Sequence, residues 1–280
     1  MKHTIILCAS LLSLSIITSC KHQEEKQPEA LQDNQVIIKD SANLSTVMNL
    51  DYMITNIPKP NVVSKELAKE GIPVNKSLLN SPDKASNYST TFQQAVNMGI
   101  YGADLGYLTS YNQMQDVMQY FTQVAKLANG LGLTSVFDQK LAGMIGNAVN
   151  NNKDTLNTLI ETAFQRSQEE LYSNKRATVG TLVFAGGWIE GLYIATSLVN
   201  SEKNAKNEKL YSEIWNNVFA IRYLEQALSD YQKTNADCAN MLKMLQPVSN
   251  IANNLDSQGF NLQDIQNLKS IVTGIRSKLI

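Results

Sequence analysis

The sequence predicts an all-α protein: a single bundle of about seven or eight antiparallel helices, preceded by a flexible tether and a Pro-containing arm. Three observations predict it. From Thr90 onward, apolar residues recur at the three- and four-residue spacing that gathers them on one face of a helix. No alternating β-branched run competes with that period. Proline, which disfavours helix at itself and at the residue before it, clusters ahead of the bundle at Pro58, Pro60, Pro73 and Pro82, then is absent until Pro247.

Residues 1–19 read as a signal peptide, with Lys2 as a short positive start, an apolar run from Ile5 to Ile17, and small residues after it. The run is too short to cross a bilayer as a mature helix. The tetrapeptide Ile17-Thr18-Ser19-Cys20 resembles a bacterial lipobox, with Ile and Ser where Leu and Ala or Gly are usual. The resemblance implies cleavage before Cys20 and acylation of that cysteine, making a palmitate-bearing lipoprotein attached to the membrane through its N-terminal lipid. Residues 20–40 are polar and charged until Val36 and read as the lipidated tether. Lys21 stands where an aspartate would resemble an inner-membrane retention signal, which favours the outer membrane. The body is then periplasmic or surface-facing, and Glu24 and Glu25 bear a slight resemblance to the acidic export tags of surface lipoproteins.

Residues 41–89 read as an irregular arm laid over the body, with a short helix around Ser64 to Lys69, and residues 90–280 as the helical domain. Within that domain, Asn112 to Leu131 shows the pattern well. Met114, Val117, Met118, Phe121, Val124, Ala125 and Ala128 form one stripe, opposed by Gln113, Asp116, Gln119, Gln123 and Lys126, and Gly130 and Gly132 end the helix. Similar patterns run over roughly 134–150, 154–173, 176–199, 207–233, 236–254 and 261–280. Turn and cap residues at Asn150-Asn151-Asn152, Asn200-Ser201 and Asp256-Ser257-Gln258-Gly259 separate them. Short connections make sequence neighbours pack together.

Composition excludes several chemistries. A formal net charge of −1 with no basic block supplies no electrostatic reason to bind nucleic acid. Of the three cysteines, Cys8 leaves with the signal and Cys20 is acylated, so Cys238 has no partner for a disulfide and reads as a small buried or half-buried residue. The two histidines are His3, within the signal, and His22, in the tether. A body without histidine has no Ser-His-Asp or Cys-His catalysis and none of the common zinc sites, so no metal and no cofactor are expected.

The segment FAGGWIEGLYIA, Phe184 to Ala195, sets Glu190 alone among glycines, aromatics and aliphatics. By length, Thr178 to Val199 could span a membrane, but a carboxylate at its middle opposes that, and a helix apolar on all sides because it is central to a bundle fits better. Gly186, Gly187 and Gly191 make neither G-x-G-x-x-G nor a Walker loop. Glycines four apart, at 187 and 191 and again at 102 and 106, would let another backbone come close. At 100° per residue Asp104 shares its face with Ile100, Tyr101, Tyr107, Leu108 and Tyr111, and Glu190 shares its own with Val183, Gly186, Gly187, Tyr193 and Ile194.

Both acids therefore point into apolar surroundings and need partners. Arg222, central to the stripe Tyr211, Ile214, Trp215 and Val218, is the expected cation. Glu190, Arg222 and Asp104 or Glu225 would form a buried network in which Glu190→Gln and Arg222→Met both destabilise strongly. The competing reading turns the same region into a ligand pocket walled by Tyr101, Tyr107, Tyr111, Trp188 and Tyr193, with the acids binding or hydrolysing a glycan.

The lipobox and tether, the YGADLGYL segment at 101–108 and the GGWIEGLYIA segment at 186–195 together resemble a group of uncharacterised α-helical lipoproteins of Gram-negative bacteria. The resemblance covers most of the body after about Tyr88 and implies a secreted, lipid-anchored helical fold. The expected function is that of a non-enzymatic binding or accessory protein of the cell envelope with an envelope protein as partner, its small-molecule ligand unspecified. The alternative is a carboxylate-dependent glycan hydrolase.

Overall fold

The computed structural model describes residues 61–151, 153–255 and 259–280 of the chain. The signal peptide, Cys20, the tether and the arm before residue 61 lie outside the described residues.

Among the described residues the protein is all-α, with ten α-helices and no strand. In chain order they are α1 (Asn61–Lys69), α2 (Thr91–Ser110), α3 (Met114–Gly130), α4 (Gln139–Asn151), α5 (Lys153–Ser173), α6 (Ala177–Leu198), α7 (Glu208–Phe219), α8 (Ile221–Tyr231), α9 (Ala236–Ala252) and α10 (Leu262–Arg276). The count exceeds the expected seven or eight for two reasons. The arm contains a packed helix, with Val63, Ser64 and Leu67 of α1 buried against the body. The expected helix over 207–233 divides at Ala220, where the Tyr223 amide donates to the Ala220 carbonyl at 3.0 Å, a bond one residue shorter than the α-helical one.

Local signals account for several of the helix ends. At the start of α2 the Thr90 hydroxyl accepts from the Gln93 amide while the Gln93 side chain accepts from the Thr90 amide. Asn261 and Asp264 make the same reciprocal cap on α10, and Asn235 caps α9. Asn112, at φ 56°, turns the chain between α2 and α3, with the Gln113 amide bonding back to the Leu108 carbonyl at 2.9 Å. Gly132, at φ 71°, closes the end of α3.

The core is organised around α6, which packs against α2, α10, α5, α1, α8, α7 and α9. A helix surrounded in this way must be apolar on every side, which is why no polar stripe runs along it. It is the one described helix long and apolar enough to cross a membrane, and 78% of its most apolar stretch is buried inside the bundle. Its broadest contact is with α2, and glycine sets the spacing. A Cβ on Gly99 would lie 1.9 Å from the Val183 carbonyl oxygen, and one on Gly186 would lie 1.9 Å from the Val96 carbonyl oxygen, so the two helices meet backbone to backbone. The expected role of Gly102 and Gly106 is partly different. Gly102 makes room for the Phe164 ring of α5, and Gly106 faces Asn61 at the start of α1.

Between α1 and α2 the arm returns over the body through two 3₁₀ turns, Lys76–Leu78 and Pro82–Asn87. It is tied down by polar bonds. The Asn75 amide donates to the Tyr107 hydroxyl at 2.8 Å, the Tyr101 hydroxyl donates to the Ser81 carbonyl at 2.6 Å, and Lys76 pairs with Asp116 of α3 at 2.9 Å.

Candidate functional site

Glu190 and Asp104, the acids singled out by their helical faces, both have zero solvent exposure, and they meet at the α2–α6 crossing. The cation that joins them is Arg276, at the end of α10. Its Nε donates to Glu190 Oε2 at 2.5 Å and its Nη2 to Glu190 Oε1 at 2.7 Å, a bidentate pair. Nη2 also donates to the Leu78 carbonyl at 2.9 Å, and the guanidinium lies 4.3 Å from the centre of the Tyr193 ring. The Arg276 side chain is 9% exposed.

The expected partner, Arg222, is elsewhere. It is exposed, with its guanidinium 3.9 Å from the centre of the Phe219 ring, itself stacked on Trp215. The reason is register: past Ala220 the buried positions are Ile221, Leu224, Ala227 and Leu228, so the inward stripe steps by three from Val218 and leaves Arg222 outside. Glu225 is also apart from the network, accepting a hydrogen bond from the Ser249 hydroxyl. Arg276 was legible by the same criterion that selected Arg222. Val272, Ile275 and Leu279 are buried around it, continuing the stripe Ile265 and Leu268.

The second acid is held by the arm. The Asn80 amide donates to Asp104 Oδ2 at 3.1 Å, and Asn80 Nδ2 lies 3.0 Å from the Tyr88 hydroxyl and 3.3 Å from Asn97 Oδ1. Asn97 Nδ2 donates to the Leu279 carbonyl at 2.9 Å. Asn80 had no signal in the sequence, because a short polar residue in a Pro-containing arm looks like any turn residue, and nothing in the sequence marks Asn97 of α2 or Tyr88 as its partners. Asp104 Oδ1 receives no donor from another residue, although the Asp104 carboxyl is in hydrogen-bond contact with Glu190.

Protonation follows from that geometry. Burial drives the Asp104 pKa well above the ordinary carboxylate range, and the neighbouring charge of Glu190 adds to it. Burial also raises Glu190, but the hydrogen bonds and charge of Arg276 oppose the rise. Asp104 therefore keeps the proton and donates it toward the Glu190 carboxylate, and Arg276 balances the one remaining negative charge. The buried centre is electrically neutral.

The aromatic residues expected to wall a pocket are divided among separate packing roles. Tyr101 and Tyr107 bond the arm, and Tyr111 lies with its ring 4.7 Å from that of Tyr107. Trp188 Nε1 donates to the Asn217 carbonyl at 2.8 Å, joining α6 to α7, and Tyr193 lies under Arg276. Burial pushes the hydroxyl pKa values of Tyr101, Tyr111 and Tyr120 up. A solvent-open cleft of about 750 Å³ lies on the far side of Tyr88 and Leu279, rimmed by Lys84, Asp237 and Lys278. Neither Asp104 nor Glu190 lines it, and the Gln93 amide at its edge is already taken by the Thr90 hydroxyl.

Among the described residues, no group of His, Cys, Asp and Glu is placed to hold a metal ion. Cys238 is fully buried, and burial raises its thiol to about 11, with Asp237 adding to the shift. Its alkylation by iodoacetamide, followed by peptide mass spectrometry, is expected to be slow in the native protein and rapid in denaturant. Fast native labelling would show that the α9 packing opens locally.

The chain matches no family model, no curated protein and no solved structure.

Proposed function

We propose that the chain is a non-enzymatic, lipid-anchored accessory protein of the bacterial cell envelope, held at the outer membrane through Cys20, whose helical body binds an envelope partner. The observation that carries the non-enzymatic reading is the sealing of Asp104 and Glu190. A carboxylate pair that hydrolyses a glycoside must reach substrate and water from both sides of the bond. Here the two acids touch each other, have zero exposure, and are closed off by Arg276 and the arm. The anchoring reading rests on the spacing of the apolar run and Ile17-Thr18-Ser19-Cys20.

The test uses the full-length protein in a Gram-negative host. The wild-type chain is expected to incorporate labelled palmitate and to fractionate with outer membranes, and Cys20→Ala is expected to do neither. Equal fractionation of the two would remove the lipid anchor. A glycan-hydrolysing activity of the purified chain that disappears in Glu190→Gln, with the fold retained by circular dichroism, would replace the accessory role by the hydrolase.

A further inference from the structure

We propose that Asp104 is the proton-binding element of a latch: with the proton bound it holds the arm, Ile72 to Tyr88, against the bundle, and loss of that proton as pH rises lets the arm lift. Three features of the geometry point to it. Two fully buried carboxyls share a single guanidinium, and Arg276 has already committed Nε and Nη2 to Glu190. Asp104 Oδ1 has no donor aimed at it, so beside the Glu190 carboxylate it is accounted for only as a hydroxyl that donates. The groups that roof the pair belong to the arm: Asn80 bonds Asp104 through its amide, and the Leu78 carbonyl accepts from Arg276.

The groups facing this pair come from every side. They are Tyr101 on α2 itself, Tyr120 on α3, Glu190 and Tyr193 on α6, Arg276 on α10, and Tyr88 at the end of the arm. The tyrosines are shifted upward where a shift is resolved, so they stay neutral across the range in which a carboxyl titrates. Losing the Asp104 proton in the closed state would leave two negative charges facing one positive charge out of contact with water, and the cheapest relief is to admit water by moving the arm.

The sign of the linkage follows. In the open state Asp104 is hydrated and ionises near the ordinary value of about 4; in the closed state it holds its proton to higher pH. Opening therefore releases one proton between those limits. Below about pH 4 the latch is fully held, and its contribution is lost as pH rises through the raised value. Over that window the opening constant grows about tenfold per pH unit, then levels off.

The experiment is native amide hydrogen exchange on the full mature chain from pH 4.5 to 9, comparing wild type with Asp104→Asn. An Asn side chain donates to Glu190 and accepts from the Asn80 amide, so it mimics the protonated acid and has no proton to lose. After correction for intrinsic exchange rates, protection of arm amides around Leu79 and Asn80 is expected to fall with pH in wild type by about one decade per unit more than in Asp104→Asn. Amides of α9, which carries none of the groups that face the pair, should show no such excess. Infrared difference spectra should show a protonated carboxyl band at pH 6 that is absent from the variant. Equal arm slopes in the two proteins, or no protonated band, overturns the latch. If Asp104→Asn fails to fold, the wild-type comparison of arm with α9 and the band's own titration decide the question, since a parallel fall in both regions would mark global unfolding and refute a local latch.

Discussion

Arg276→Met is expected to destabilise the fold by about 3–5 kcal/mol, while Arg222→Met costs less than about 1 kcal/mol. The two residues have the same chemistry and both were reachable from the sequence, so the contrast tests the pairing itself. Met fills much the same volume as the Arg276 stem, but it leaves Glu190 with zero exposure, no cation, and only the Asp104 proton for a partner. An uncompensated buried carboxylate either stays charged at high cost or binds a proton, and both routes weaken the native state. The Leu78 carbonyl loses its donor at the same time, so the arm is loosened along with the core. At Arg222 the loss is confined to an exposed guanidinium over the Phe219 ring. Urea denaturation followed by circular dichroism measures both variants. Similar midpoints for Arg276→Met and Arg222→Met would show that the bidentate pair does not hold the fold.

Gly186→Ala is expected to cost about 3 kcal/mol, the upper part of the range for overpacked cores. An added methyl would lie 1.9 Å from the Val96 carbonyl oxygen and 2.8 Å from its carbon, and neither atom can rotate aside because both belong to the α2 backbone. The helices must separate, and every buried contact along the α2–α6 crossing loosens, including the one that holds Asp104 beside Glu190. Gly274→Ala, on the exposed side of α10, supplies the control. Nothing lies within 4 Å of its added methyl, so the lower entropy of the unfolded chain and better helix propensity should stabilise it by about 0.4–1 kcal/mol. The same substitution in two helices thus carries opposite signs. Thermal melts of the pair check this, and a Gly186→Ala melt at or above wild type would mean that the two backbones are not in contact.

The pH behaviour of the molecule has a consistent direction. Asp104 and Glu190 are shifted upward by burial, and so are Tyr88, Tyr101 and Tyr120 around them. Asp104 and the tyrosines are protonated in the folded state at a pH where the unfolded chain has lost the proton, so they contribute stability that is lost as pH rises, whereas Glu190 stays ionised against Arg276. Burial opposes the charge on Arg276, but the hydrogen bonds and charge of Glu190 outweigh it and raise its pKa, so it stays a cation where the carboxyls titrate.

Much of the candidate site could be read before any fold was known, and the parts that could not share one cause. The inward orientation of Asp104 and Glu190 followed from a single helical period, because burial of one face is a local property of the chain. The choice of Arg222 failed because a stripe can step by three or by four, and the turn at Ala220 decided the step. The roof over the pair, made by Leu78 and Asn80, followed no period, since the arm contributes carbonyls and amides that any sequence supplies. The expected wall of aromatic residues dissolved into separate contacts. Tyr101 and Tyr107 hold the arm, whereas Trp188 reaches α7.

By itself, then, the sequence determined the helical period, the helix breaks other than the one at Ala220, and the apolar character that makes α6 central. These depend on residues within a turn or two of one another. Only the tertiary structure decided that Glu190 meets a cation 86 residues away, that Asp104 must keep a proton, and that Gly99 and Gly186 carry the closest helix contact. A buried charge is neutralised by whichever group the packing of distant helices brings within about 3 Å, and several stripes of equal local quality compete for that place.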